Sequence, residues 1–191
     1  MKKIVVKTAL ITLASVIVML ALAFGIASLA FPKNMSEICE NFGNYKLAAS
    51  YAERQYEYTG STEDLYRCTC LYIRVGDRSK TVKFCGKLVD KQDFKEYCGP
   101  NAQYIYSNYA TALYLSGNDE KAVEIAEKSV EDGFVPNTYA ALTVKAVERE
   151  DKVFGGKLLS SLEENKPLDN SHLEDYNAIE TILKTLTGDE T

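Results

Sequence analysis

A long run without charged residues lies at the N-terminus and limits what the whole chain can be. It covers residues 8–32, and the next charged residue is Lys33. As a helix these 25 residues would extend about 37 Å, which is enough to cross a hydrocarbon core of about 30 Å. We therefore predict one transmembrane helix, which Pro32 ends.

The charges beside this run predict its orientation. Lys2, Lys3 and Lys7 precede it, whereas the acids Glu37 and Glu40 follow it closely. Positively charged flanks stay on the cytoplasmic side of a membrane. We expect a single-pass membrane protein with a cytoplasmic N-terminus and an extracytoplasmic C-terminal domain.

A cleaved signal peptide is the alternative to a retained anchor. Ser28 and Ala30 are small residues that would suit a cut after Ala30, and the product would be secreted. The apolar part of a signal peptide is usually about 7–15 residues long. The greater length of this run favours a signal-anchor over residues 1–32.

The segment 108–133 is typical of two short helices that fold back on each other. Gly117 suits the left-handed end of the first helix, and Asn118 or Asp119 can cap the second. The first helix has one apolar face, formed by Tyr106, Tyr109, Ala110 and Leu113. The second has a face of small and apolar residues, formed by Ala122, Val123, Ala126, Ser129 and Val130.

The same order recurs along the chain with a nearly constant period. The reversals fall at Gly43, Gly76, Gly117 and Glu150, which are 33, 41 and 33 residues apart. The longer interval holds an insertion, residues 91–101, that ends in a Gly-Pro turn signal. The expected inward positions around the other reversals are Ile38, Cys39, Ala48, Ala52 and Gln55; Leu65, Cys68, Thr69, Tyr72, Thr81, Cys85 and Leu88; and Tyr139, Leu142, Thr143, Ala146, Gly155, Leu159 and Leu162.

This pattern resembles the tetratricopeptide repeat (TPR), whose period is about 34 residues. The resemblance implies an all-α fold: a TPR-like α-solenoid of stacked helical hairpins with a C-terminal capping helix, preceded by one transmembrane helix. We predict the anchor at residues 1–32, the repeats at 33–168, and the capping helix and tail at 169–191. A generic irregular helical bundle is the alternative.

The C-terminal segment has the signals of a capping helix. Ser171 and Glu174 form a capping-box pattern, and Gly188 suits the end of the helix. One apolar stripe covers Leu173, Tyr176, Ile179, Ile182, Leu183 and Leu186.

The resemblance implies a binding role, because such repeats hold a partner protein or peptide in a concave groove lined by each first helix. Tyr and Arg are enriched in binding hot spots. Counted from the reversals, the groove residues are Glu63, Tyr66, Cys70, Ile73, Arg74, Tyr104, Ser107, Thr111, Tyr114 and Leu115. We predict a membrane-anchored scaffold or adaptor, by analogy with envelope proteins in secretion or assembly. The alternative is that the insertion, the first repeat or the cap covers this wall.

Charge and residue counts disfavour other classes. Beyond residue 31 the chain has 19 basic and 27 acidic residues, whereas nucleic-acid binding needs clustered Lys and Arg. No recognised motif places a Ser or Cys nucleophile beside the single histidine, His172. We therefore expect no enzyme, no cofactor, no metal and no nucleic acid.

The five cysteines keep a cysteine-dependent redox protein or other enzyme open as an alternative, beside a purely structural membrane spacer. Cys39, Cys68 and Cys85 fall on predicted core faces. Cys98 lies in the insertion, where we expect the most exposed thiol, and Cys70 lies off the core face. Outside the cytoplasm a disulfide could join Cys98 to Cys70 or to Cys85.

Overall fold

All regular structure in the described part of the chain is helical. The computed structural model describes residues 2–166 and 172–189, and the predicted all-α class is confirmed. The helices are α1 Lys2–Ala30, α2 Pro32–Asn41, α3 Tyr45–Thr59, α4 Thr62–Val75, α5 Arg78–Val89, α6 Phe94–Cys98, α7 Asn101–Leu115, α8 Asp119–Glu131, α9 Asn137–Glu148, α10 Lys152–Glu164 and α11 Leu173–Thr187.

The N-terminal helix α1 is long and apolar enough to cross a membrane. Its apolar segment, Val6–Ala30, has 25 residues, and none of it is buried inside the protein. The backbone leaves the helical conformation at Phe31. Pro32 then opens α2, at a position where its missing N–H removes no helical hydrogen bond. The break therefore falls where the sequence predicts it.

Left-handed residues reverse the chain at all four predicted positions. Gly43, Gly76 and Gly117 have φ of 74°, 74° and 79°, and Glu150 has φ of 53°. At Gly43, Gly117 and Glu150 the same two backbone hydrogen bonds close the turn. An example is the pair from Gly117 N to Tyr114 O and from Asn118 N to Leu113 O. These bonds satisfy carbonyls that a helix end leaves without partners.

The residue after each reversal begins the second helix. The side chains of Asn44, Asp77 and Asp151 accept hydrogen bonds from the backbone N–H three residues further on. The side chain of Asn118 makes no such bond. The repeated Gly-Asn or Gly-Asp pair thus ends one helix and starts the next.

Most residues of the predicted inward faces form the core. The tyrosines and leucines assigned to the first helices are buried, and Ala110, Ala122 and Ala126 have no exposed surface. The small side chains of α8 therefore lie directly against α7. Ile38 is 47% exposed, so its assignment to the core was wrong. Gln55 is only partly buried.

The hairpins pack against their neighbours in chain order. Helix α7 contacts α8 within its hairpin and α9 in the next, and α8 contacts both α9 and α10. Helix α5 contacts α7, whereas α4 reaches the inserted helix α6. The insertion thus occupies space beside the first helix of the second hairpin.

The C-terminal helix α11 packs against α9 and α10. A Cβ atom on Gly155 would lie 2.8 Å from Leu186 Cδ2, so this glycine permits the close approach of the two helices. Tyr176, Ile179 and Leu183 are buried as predicted, but Ile182 is exposed. The predicted capping-box residue Ser171 and the boundary at residues 168 and 169 lie outside the described residues.

Replacing Glu150 with glycine should stabilise the protein. A left-handed conformation costs a non-glycine residue about 1–2 kcal/mol, and the greater backbone freedom of glycine offsets part of the gain. We expect the free energy of unfolding to rise by about 0.5–1 kcal/mol and Tm by about 1–4 °C, measured by circular dichroism on the full-length protein in detergent.

The matched control is Glu124→Gly in the interior of α8, where the backbone is helical and the side chain is exposed. It should lower stability by about 1 kcal/mol. If Glu150→Gly lowers Tm as much as Glu124→Gly does, the left-handed backbone at Glu150 is not strained and this prediction is wrong.

Candidate functional site

Four of the predicted groove residues line one cleft beside α4. The cleft has a volume of about 350 Å³, and we call it the α4 cleft. Glu63, Tyr66, Cys70 and Arg74 contribute to it, together with four further residues from α2, α4 and α6: Glu40, Arg67, Leu71 and Tyr97.

Aromatic rings and an arginine shape the walls of the α4 cleft. The Tyr66 and Tyr97 rings meet edge to face with their centroids 5.8 Å apart. Arg74 Cζ lies 3.8 Å from the centre of the Tyr45 ring, and its Nη2 donates to the Tyr45 hydroxyl at 2.8 Å. Arg74 itself is exposed. A guanidinium on an aromatic face is held in place while its other N–H groups stay available.

The charges of the α4 cleft are nearly balanced. Arg67 Nη2 donates to Glu40 Oε2 at 2.8 Å, and Lys33 Nζ lies 3.4 Å from Glu63 Oε1. Arg67 Nε is buried and has no hydrogen-bond partner, which is costly for a polar atom. The cleft therefore offers both signs of charge and one unused buried donor.

Three other predicted residues line a second cleft between α4, α5 and α7, which we call the α7 cleft. It is smaller, about 160 Å³, and Ile73, Thr111 and Leu115 border it. Arg78 Nη1 reaches across it to Leu115 O at 3.3 Å. Ile73 and Arg74 are consecutive on α4 but face different clefts, so the two depressions are neighbours.

Three predicted residues lie outside both clefts, and two of them, Tyr104 and Ser107, keep some exposed surface. Tyr104 is 51% exposed on α7. The Ser107 hydroxyl lies 3.3 Å from the Thr138 hydroxyl, which in turn donates to Ser129 at 3.1 Å. Ser107 is thus part of a polar link to the next hairpin, whereas Tyr104 remains available at the surface.

Tyr114 was assigned to the groove, and that assignment was wrong. Its side chain is 2% exposed, its ring stacks on Phe154 with centroids 4.1 Å apart, and its hydroxyl donates to Asp151 Oδ2 at 3.0 Å. Counting positions from the reversal treats only the face of α7 that contacts α8 as interior. Helix α7 also packs against the following hairpin, which buries a second face.

Sequence reasoning missed several lining residues. Glu40 lies 33 residues, or one repeat period, before the predicted groove residue Ile73. Applying the same groove positions to the preceding repeat would therefore have included Glu40. Tyr97 carries no such signal, because the insertion interrupts the period. Its position follows from the short helix α6, in which Phe94 is buried against the Tyr106 ring.

The cysteines are free thiols, and most are buried. Cys39, Cys68 and Cys85 lie in the core as predicted. Cys98 is only 5% exposed, so the expectation that it is the most exposed thiol was wrong; α6 turns it inward beside Phe94. Cys70, on the edge of the α4 cleft, is the partly exposed one.

Burial makes four of these thiols, those of Cys68, Cys70, Cys85 and Cys98, poor nucleophiles. It raises the pKa of Cys98 to about 11 and that of Cys68 to about 12. Burial also raises the pKa of Cys70, against the effect of a hydrogen bond with Tyr66. Reactive cysteines need the opposite shift, because the thiolate is the nucleophile.

We expect iodoacetamide to alkylate Cys70 first in the folded full-length protein. Cys98 should react more slowly. Because the pKa of Cys98 is raised, its labelling rate should still increase about tenfold per pH unit between pH 9 and 10, where a thiol of ordinary pKa near 8.5 levels off. Peptide mass spectrometry after timed pulses measures both rates.

In denaturant all five thiols should react at similar rates, which provides the control. Faster labelling of Cys98 than of Cys70 in the folded protein would contradict the position of α6.

Comparison with known proteins identified no family for this chain. No protein-family model matches it, and a search of curated proteins found no match. The assignment of a function therefore depends on the geometry of the two clefts and the anchor.

Proposed function

We propose that this protein is a membrane-anchored, TPR-like scaffold that binds a partner protein or peptide on the wall formed by its first helices. The repeated left-handed reversals and the contacts between successive hairpins support a solenoid. In such a solenoid the first helix of each hairpin lines the concave side, and each hairpin packs against the next.

The observation that carries the proposal is the pair of neighbouring clefts along α4 and α7. Together they combine partly exposed tyrosines, an arginine that stacks on the Tyr45 ring, and apolar side chains from two hairpins. Tyr and Arg dominate binding hot spots. Two small depressions in a row suit alternate side chains of an extended peptide or one face of a helix.

A thiol enzyme receives less support from the same residues. The pKa values of the Cys70 and Cys98 thiols are raised rather than lowered. His172, the one histidine of the chain, directly precedes α11, and its Nδ1 lies 3.5 Å from Asp175 Oδ2. This imidazole is therefore not the partner of Cys70, whose thiol forms a hydrogen bond with Tyr66.

The junction at the end of α1 supports a retained anchor. Arg54 Nη1 donates to Ser28 O at 3.1 Å, and α1 also contacts α2. A cut after Ala30 would remove this acceptor. We propose that the N-terminus is cytoplasmic and the repeats are extracytoplasmic, with a secreted, cleaved form as the alternative.

Reporter fusions after Thr191 test this topology. We expect activity from a reporter that works only outside the cytoplasm, and none from a reporter that works only inside it. The intact mass of the membrane-extracted protein should include residues 1–30. A strong cytoplasmic signal would contradict the orientation, and a mature N-terminus at Phe31 would contradict the anchor.

Site-specific photo-crosslinking tests the binding surface. We expect a photoreactive amino acid at Arg74 or Tyr104 to crosslink a defined partner protein in native membranes, because both side chains are exposed on first helices. The same probe at Glu124 or Val153, exposed on second helices, should yield far less of that product, because a photoreactive group crosslinks only what it touches.

Equal yields from both sets of positions would contradict a site on the first helices. The absence of any protein crosslink from Arg74 and Tyr104 would favour the structural spacer instead. Matched thermal unfolding of all four variants shows that the folds are intact.

A further inference from the structure

A third cleft lies where the anchor meets the helical domain. It has a volume of about 590 Å³ and is bordered by the end of α1, the start of α2 and the last turns of α3. Its walls include Leu29, Phe31, Lys33, Arg54 and Tyr58. We call it the junction cleft.

Arg54 fixes the geometry of the junction cleft. Its guanidinium donates one hydrogen bond to Ser28 O, in the last turn of α1. Carbonyls at a helix C-terminus lack intrahelical partners and carry partial negative charge, so a cation there is favourable. Because Arg54 belongs to α3, this bond holds the helical domain against the end of the anchor. The side chain remains exposed and has further N–H groups to donate.

The junction cleft combines two cations with two exposed aromatic rings. Lys33 contributes the second positive charge; its contact with Glu63 is long, at 3.4 Å, and the two side chains are 47% and 68% exposed. Phe31 is 59% exposed and Tyr58 is 87% exposed. Such exposed rings are unfavourable in water, but aromatic side chains are enriched at the level of lipid headgroups.

The length of the anchor places this cleft at that level. The apolar segment Val6–Ala30 would extend about 37 Å as a helix, against a hydrocarbon core of about 30 Å. The cleft begins at Leu29, at the very end of this segment. In a bilayer its cations would therefore lie among the headgroup phosphates, and its apolar residues would lie next to the acyl chains.

We propose that the junction cleft binds the headgroup of an anionic phospholipid. Arg54 and Lys33 bind the phosphate and the net negative charge, while Leu29 and Phe31 contact the upper acyl chain and Tyr58 covers the headgroup region. The site would fix the height and tilt of the repeats above the bilayer. This inference rests on the proposed retention of the anchor.

Native mass spectrometry of the full-length protein in detergent tests the proposal. The wild type should bind phosphatidylglycerol more tightly than phosphatidylcholine. Near a membrane surface one basic residue contributes about 1 kcal/mol, which is about fivefold in affinity. Arg54→Gln and Lys33→Gln should each weaken phosphatidylglycerol binding about fivefold, and the double variant about 25-fold if the two effects add.

Lys46→Gln is the matched control, since it removes one exposed positive charge at the opposite end of α3. Tyr58→Ser can be compared with Phe42→Ser, because both aromatic side chains are more than four-fifths exposed but only Tyr58 lines the cleft. Lys46→Gln and Phe42→Ser should leave lipid binding unchanged. Lys33→Gln leaves the Arg54 contact with α1 in place, so it tests the site even if Arg54→Gln disturbs the junction.

Two results would overturn the proposal: equal affinity of the wild type for both lipids, or unchanged preference for phosphatidylglycerol in the double variant. The intact mass in the same spectra separates these results from failure of the proposed function. Loss of residues 1–30 would contradict the retained anchor, whereas an intact chain without lipid preference would contradict this site alone.

Discussion

Left-handed residues at the ends of the first helices organise the helical domain. The same backbone conformation occurs at four such positions. At Gly43, Gly76, Gly117 and Glu150 the chain turns back within a residue or two. The tight reversal forces the following helix to lie antiparallel to the preceding one. Buried alanines such as Ala122 and Ala126 then let the two helices approach closely. Because each hairpin leaves an apolar face exposed, the next hairpin must cover it, and the order of contacts along the chain follows.

Tyrosine hydroxyls connect helices both within a hairpin and between neighbouring hairpins. Tyr72 donates to Glu53, Tyr106 to Asp132, and Tyr114 to Asp151, so buried phenols find carboxylate partners at helix ends or on neighbouring helices. Burial alone would raise the pKa of Glu53, but hydrogen bonds from Lys80 and Tyr72 outweigh it and lower the pKa below its usual value. A carboxyl whose folded pKa is lowered stabilises the fold above its unfolded pKa. That stabilisation is lost as pH falls through the folded value.

Periodic features could be predicted from the sequence, and features that break the period could not. The reversals and inward faces recur at fixed spacing, so Leu65, Tyr106 and Tyr139 were placed correctly. Tyr114 was misplaced because a helix in a stack has two buried faces, and counting from the turn identifies one. Cys98 was misplaced because the five-residue helix α6 has no periodicity to show which way it turns. The junction between Arg54 and Ser28 joins residues 26 positions apart, and no local pattern indicates it.

The proposed attachment to the bilayer would change what the two first-helix clefts need to provide. At about 350 and 160 Å³ they are at or below the usual range for ligand pockets, so each alone would bind weakly. A partner in or near the same membrane is present at a high effective concentration, and modest contacts then suffice. Only Phe31 separates α1 from α2, so a flexible linker does not dilute this effect. The proposed scaffold therefore depends on its junction as much as on its groove, because the junction sets the height at which a partner meets the clefts.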